Sequence, residues 1–322
     1  MSASIISNYP NGFANGIAIR GMPLSVCHPG KVFWVYNGTA LLPGQRGGSN
    51  GNKGTFESPF ATVDYAVSQC VANRGDIVFI KPGHAETFAA ADGFDLDVAG
   101  VAVVGLGTGT LKPQFTLSAT TSDVNISAAN CALMNIGLVP STSDVVRGVQ
   151  VTAAHATIKG LDVLDAGGTN EILTAIKATS TTDNNADGLW IEGCRAYSTS
   201  TAVLEFLEFN AHINGLVFKD NIIINEGTAA GVAIAGATGK NLLNAYIGFN
   251  KTSNKATSGN IFIDSDSTAS TGIAENNLMG HADVTGAHDN GLTGMGFRLF
   301  NNLSVSTASL SGFVLPAIDV DL

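Results

Sequence analysis

The sequence predicts an all-β protein: a right-handed parallel β-helix, or solenoid, with an N-terminal arm and a short capping helix. Three observations carry this expectation. Short apolar segments recur along the chain, among them DIVFIKPG, VAVVGLG, ALMNIGLV, ATIKGLDVL, LWIEGCRAY, LVFKDNIII, NAYIGFNKT, TGIAENNLM and FRLFNNLSV. Each alternates in the period-two manner of a strand and is interrupted by Gly or Asn. Aligning those residues at Gly105, Gly137, Gly160, Gly193, Asn221, Asn250, Asn277 and Asn302 gives separations of 23 to 33 residues, a solenoid period.

The physics of a stacked coil accounts for the pattern. Strands bond to the coils above and below, inward positions form continuous apolar columns, and each bend takes a residue that tolerates left-handed backbone. Stacked Asn side chains at the later bends are expected to bond to one another along the stack. A β-sandwich would also have many short strands, but it needs a succession of tight hairpins, which the chain lacks.

The elements follow in order. Residues 1–32 read as an extended arm, nearly uncharged, with Phe13, Ile17 and Ile19 as apolar anchors and Arg20 beside them. An arm of that composition is expected to lie on its own domain or on a partner. Residues 33–75 hold the strand KVFWVY, the Gly-rich loop LLPGQRGGSNGNKGTFE and a helix. The loop is no Walker motif, since Asn52 precedes Lys53 where that pattern needs Gly. Ser58 as N-cap, Pro59 at the first helical position and Phe60, Val63, Val67 and Cys70 on one face predict a helix over 59–72 that closes the N-terminal end of the stack. The solenoid is expected over 76–305, and 306–322 form an apolar tail in which Phe313 and Leu315 cover the last coil or join protomers.

Composition excludes several function classes. A net charge of −10 and no basic stripe argue against nucleic acid. No apolar run reaches the length of a membrane span, and the start lacks the features of a signal peptide, so synthesis in the cytoplasm is expected. Cys27, Cys70, Cys131 and Cys194 are scattered without metal-site spacing and are expected as buried thiols.

Candidate chemistry is sparse. Asp264 and Asp266 share one strand face by spacing. Glu205 and Glu208, and Asp162 and Asp165, are an odd number apart and are expected to face opposite ways. His281, Asp283, His288 and Asp289 have metal-capable side chains in a Gly-rich loop, without a spacing that specifies a site. His84 and Glu86 are expected to make a structural bond after the Pro82-Gly83 turn, and Trp190 is expected to fill the core. No catalytic, cofactor or metal set stands out, so the chain is expected to be structural rather than an enzyme.

Residues 51–88, GNKGTFESPFATVDYAVSQCVANRGDIVFIKPGHAETF, resemble a segment of tailed-bacteriophage virion proteins with a pectin-lyase-like β-helix. The matching positions are Pro59, Phe60, Thr62, Asp64 and Ala66, then Arg74, Gly75, Asp76 and Ile77, then Pro82, Gly83, His84 and Glu86. The resemblance implies a virion component, a homotrimer, made in the host cytoplasm. The catalytic residues of enzymatic relatives do not carry over, because neither Gly-His-Gly nor Asp-Asp occurs. The resulting expectation is a capsid decoration or cement protein that binds the major capsid protein through Phe13, Ile17, Ile19 and Arg20. The alternative is a tail spike or fibre that binds or cleaves host glycans. The scarcity of aromatic residues, two Trp and five Tyr, counts against that alternative.

Overall fold

A computed structural model describes residues 18–19, 22–23, 30–38, 46–164, 169–179, 182–199, 205–227, 231–255, 262–264, 269–281, 292, 295–306 and 312–314. Among the described residues three large sheets are built by stacking, two of ten strands and one of seven. Each coil contributes to the first sheet, then the second, then the third. The coil Trp190–Glu192, Arg195–Ser198 and Glu205–Phe209 is one example. Neighbouring coils pair in parallel and in register throughout, so the chain is a parallel β-helix with the right-handed crossovers that parallel strands take. Among the described residues the seven strands of the third sheet give seven coils with all three sides, close to the eight expected.

Register turns the sequence alternation into a core. Val78, Val103, Leu133, Ile158, Ile191, Phe218 and Ile247 pair in succession along the first sheet. All seven are fully buried, and each side chain lies on the one below at the strand spacing of about 4.8 Å. Their outward neighbours alternate with them and line the surface discussed below.

Of the bends between the first and second sheets, Gly160 and Gly193 lie where the sequence alignment put them, and the four aligned on Asn221, Asn250, Asn277 and Asn302 fall one residue earlier. The left-handed residues are Asn135, Gly160, Gly193, Asp220, Phe249, Asn276 and Asn301. Gly137 instead lies inside the strand Gly137–Pro140, and Gly105 ends the strand Ala102–Gly105. The residue after each bend points inward. In the later coils it is Asn, and the side chains form the expected ladder: the Asn221 amide donates to Asn250 Oδ1 at 3.0 Å, Asn250 to Asn277 at 2.9 Å and Asn277 to Asn302 at 2.8 Å. Each acceptor oxygen also takes a backbone N–H, as from Asn250 to Asn277 Oδ1 at 3.1 Å. Ile136, Leu161 and Cys194, all buried, hold the same place in earlier coils, where no side-chain amide continues the ladder.

The helix is shorter than predicted, Val63–Ser68, with Thr62 as N-cap accepting from the Tyr65 N–H. Phe60 is drawn into an extended bridge with Val35, its N–H donating to Trp34 and its carbonyl accepting from Tyr36, so the chain cannot turn helical at Pro59. Val63, Ala66 and Val67 face the core at the N-terminal coils. His84 and Glu86 lock this end. Asn37 N–H donates to His84 Nδ1 at 3.2 Å, which leaves the proton on Nε2 to be donated to Glu86 at 3.1 Å. Glu86 also accepts from the Val63 N–H at the start of the helix. The Asp of the Arg74-Gly75-Asp76 triplet is fully buried. It accepts from Arg74 through both oxygens, at 2.7 and 2.6 Å, and from the N–H groups of Lys31 and Val71. At the far end the strand Gly312–Val314 pairs antiparallel with Asn302–Ser306 and covers that edge of the second sheet. Cys70, Cys131 and Cys194 are free and buried, as expected, and Cys27 lies outside the described residues.

Candidate functional site: an aromatic groove on the first sheet

Residues two apart along the strands of the first sheet form two outward columns. Register sets one column as Thr157, Trp190, Val217, Tyr246, Ile273 and Arg298. The other is Lys159, Glu192, Lys219, Gly248, Glu275 and Phe300. Trp190 and Tyr246 stand two coils apart, roughly 10 Å, and Arg298 two coils further.

Glu192 organises one end. Its Oε2 accepts from Trp190 Nε1 and from Lys159 Nζ, both at 2.8 Å, and its Oε1 from Lys219 Nζ at 3.1 Å. The two ammonium groups lie 5.1 and 5.5 Å from the centre of the Trp190 ring, within cation–π range. The bond from Lys159, with those from Trp190 and Lys219, outweighs burial and holds the Glu192 carboxyl down at about 2. Trp190 is therefore fixed along its polar edge.

Glycine shapes the other end. A Cβ at position 248 would sit 2.7 Å from the Tyr246 hydroxyl, so only Gly248 lets the Tyr246 ring lie back along its own strand. The hydroxyl then donates to Glu275 Oε1 at 2.7 Å. Burial, together with that carboxylate, pushes the Tyr246 phenol up to about 12. Tyr246 is common to two depressions along the coil axis. One, of about 440 Å³, is bordered by Trp190, Val217, Lys219, Asp220 and Phe249; the other, of about 430 Å³, reaches Ile273 and Arg298. Together they make an open groove lined by both aromatic rings and charged groups.

This geometry corrects the expectation that Trp190 fills the core. An inward Trp would have to follow the parity of Ile191, and the register puts Trp190 outside. Trp34, in contrast, is 6% exposed and packs on Phe56 and Phe79. Glu205 and Glu208 are likewise not kept apart. Phe206 and Leu207 are both buried, which breaks the alternation of that strand. Burial first, and the charge of Glu208 second, raise the Glu205 carboxyl, while Glu208 pairs with Lys177 at 2.7 Å.

Asp162 pairs with Lys112 at 2.7 Å, a structural tie, and Asp165 lies outside the described residues. Asp264 ends the strand Ile263–Asp264, and Asp266 lies outside the described residues. His281 ends the strand Leu278–His281, while Asp283, His288 and Asp289 are outside the described residues. Among the described residues no three His, Cys, Asp or Glu are placed to hold a metal. No described helix is long and apolar enough to cross a membrane. Of the residues expected to bind a partner, Ile19 lies in the short strand Ala18–Ile19, paired with Met22–Pro23, and Phe313 in the strand Gly312–Val314. Phe13, Ile17, Arg20 and Leu315 fall outside the described residues. The groove residues Tyr246, Gly248 and Phe249 were not singled out from sequence, although period-two reading of NAYIGFNKT puts Tyr246 and Gly248 on one face.

No protein-family model matches the chain, and no curated protein matches it in sequence. Among solved structures, a rhamnogalacturonan lyase is similar at a TM-score of 0.42 with 14% identity, over 91% of this chain and 90% of that one. A GH136 lacto-N-biosidase from Eubacterium ramulus is similar at 0.38 with 9% identity, over 86% of this chain and 67% of that one. Both are enzymes by name, which runs against the expectation that the chain is not one. The absence of Gly-His-Gly and Asp-Asp from the sequence does not exclude catalysis on such a coil. The class the fold defines is the parallel β-helix.

Proposed function

We propose that the protein binds an extended glycan along the groove of its first sheet, and that it does so as a tail spike or fibre of a phage recognising a host surface. The observation that carries the reading is the placement of Trp190 and Tyr246 on one outward column, two coils apart, each with its polar edge fixed by a carboxylate. A sugar ring has an apolar C–H face and a rim of hydroxyls. A fixed aromatic face matches the first, and Lys219, Asp220 and Arg298 offer donors and acceptors for the second. The groove runs along the stack, which suits a linear chain rather than a single sugar. The phage setting is supported by the resemblance of residues 51–88. The capsid-decoration alternative draws its support from arm residues, and none of the described geometry adds to it.

The test is binding of immobilised cello-oligosaccharides and oligogalacturonates of graded length, for the intact chain and for Trp190→Ala. Binding that strengthens with length and drops at least about tenfold in the variant supports the reading, given the worth of an aromatic contact. Equal binding by the variant would overturn the site, and no binding of either series by the intact chain would overturn the glycan class.

A further inference from the structure

The bends between the first and second sheets share one backbone geometry. From Asn135 to Asn276 each left-handed residue donates its N–H to the next coil at a corresponding carbonyl, as Gly193 to Lys219, Asp220 to Gly248, Phe249 to Glu275 and Asn276 to Phe300. Six of the seven positions hold Gly, Asn or Asp, the residues that tolerate this conformation. The exception is Phe249, at φ 59°. A bulky residue there is a true outlier, because its Cβ crowds the carbonyl that follows.

Packing does not compensate for it. Phe249 is 47% exposed, so much of the apolar area that could repay the strain stays in water. Its neighbours along the stack, Asp220 and Asn276, show what the fold accepts at this place. The ring also borders the depression that contains Trp190 and Tyr246. Strain kept without a packing return, at the wall of a groove, points to a ligand.

We propose that Phe249 is a ligand-contacting residue, held in a strained conformation so that its ring walls the groove beside Trp190 and confines a sugar ring between them. The inference rests on the glycan reading above and adds a specificity-determining residue to it. Its signature is a trade between stability and binding that a purely structural residue would not show.

The experiment compares Phe249→Asn, Phe249→Tyr and Trp190→Ala with the intact chain, using thermal unfolding and the same two oligosaccharide series. Phe249→Asn is expected to raise the unfolding midpoint by about 2 °C while weakening binding about tenfold. Phe249→Tyr, which keeps a ring, should retain both values. Full binding by Phe249→Asn, with binding lost in Trp190→Ala, would overturn this inference and leave the glycan reading standing. A lowered midpoint in Phe249→Asn would also overturn it, by showing that the ring serves the fold. Binding unchanged in Trp190→Ala would remove both.

Discussion

Tyr246 donates its hydroxyl proton to Glu275 Oε1 at 2.7 Å from one coil to the next, and Gly248 makes the room for it. Breaking either partner should move the ring and leave the coil intact. Gly248→Ala is expected to displace Tyr246, because the added carbon falls inside contact distance of the ring. Oligosaccharide binding should fall with little change in circular dichroism. Binding retained in full would show that the Tyr246 orientation is not used.

The phenol itself offers a titration. Burial and the Glu275 carboxylate raise Tyr246 to about 12. A folded-state pKa above the ordinary value near 10 means that the group's contribution to stability is present below about pH 10 and is lost as pH rises towards 12. Ultraviolet absorbance should therefore show a tyrosinate that forms late. In Glu275→Gln that step should move towards lower pH, and an unchanged curve would argue against the hydrogen bond.

Acid should act through Glu192. Its carboxyl is held at about 2 by Lys159 first, with Trp190 and Lys219. The depressed pKa contributes stability that is complete above the ordinary glutamate value and is lost as pH falls from about 4.5 to 2. Because the sequence has only two tryptophans, a Trp34→Phe variant reports Trp190 alone. Its emission should change across that acid window, and Glu192→Gln should abolish the change.

The asparagine ladder should show position dependence. Asn250 bonds on both sides, to Asn221 and Asn277. Asn250→Ala leaves buried donors and acceptors in two coils without partners, at about 1–3 kcal/mol for each unsatisfied group. Asn221 borders Cys194, where no side-chain amide continues the ladder, so Asn221→Cys should cost less. Chemical denaturation that ranks the two variants in the opposite order would contradict the ladder as drawn.

Asp76 is a fully buried charge at the N-terminal end. Burial works to raise its pKa, but Arg74 and the N–H groups of Lys31 and Val71 outweigh it, and the carboxyl is lowered. Asp76→Ala should destabilise the chain by about 1–3 kcal/mol, since the N–H groups of Lys31 and Val71 then lose their acceptor. A loss below 1 kcal/mol, measured by urea unfolding, would mean that water replaces the contact.

The architecture was legible because its causes are local and repeated. Alternation in segments such as ALMNIGLV and LVFKDNIII sets the inward faces, and residues such as Asn221 and Asn250 mark the turns. The groove was much less legible. Trp190 reads as a core residue in an apolar segment, and only the parity of Ile191, fixed by pairing to Ile158 and Phe218, turns it outward. Phe249 shows the limit from the other side: the bends were aligned on Asn250, one residue late, so a Phe at a left-handed position passed unnoticed.

The sequence by itself determined that this chain stacks into a parallel β-helix, how its coils repeat and that asparagines join its later turns. Each of those follows from a residue and its near neighbours. Tertiary structure decided that Trp190, Tyr246 and Phe249, spread over 59 positions from 190 to 249, share one groove. The physical reason is that stacking brings residues about 28 positions apart to within one strand spacing. Which of them then meet depends on loop lengths and on a register set by the whole core.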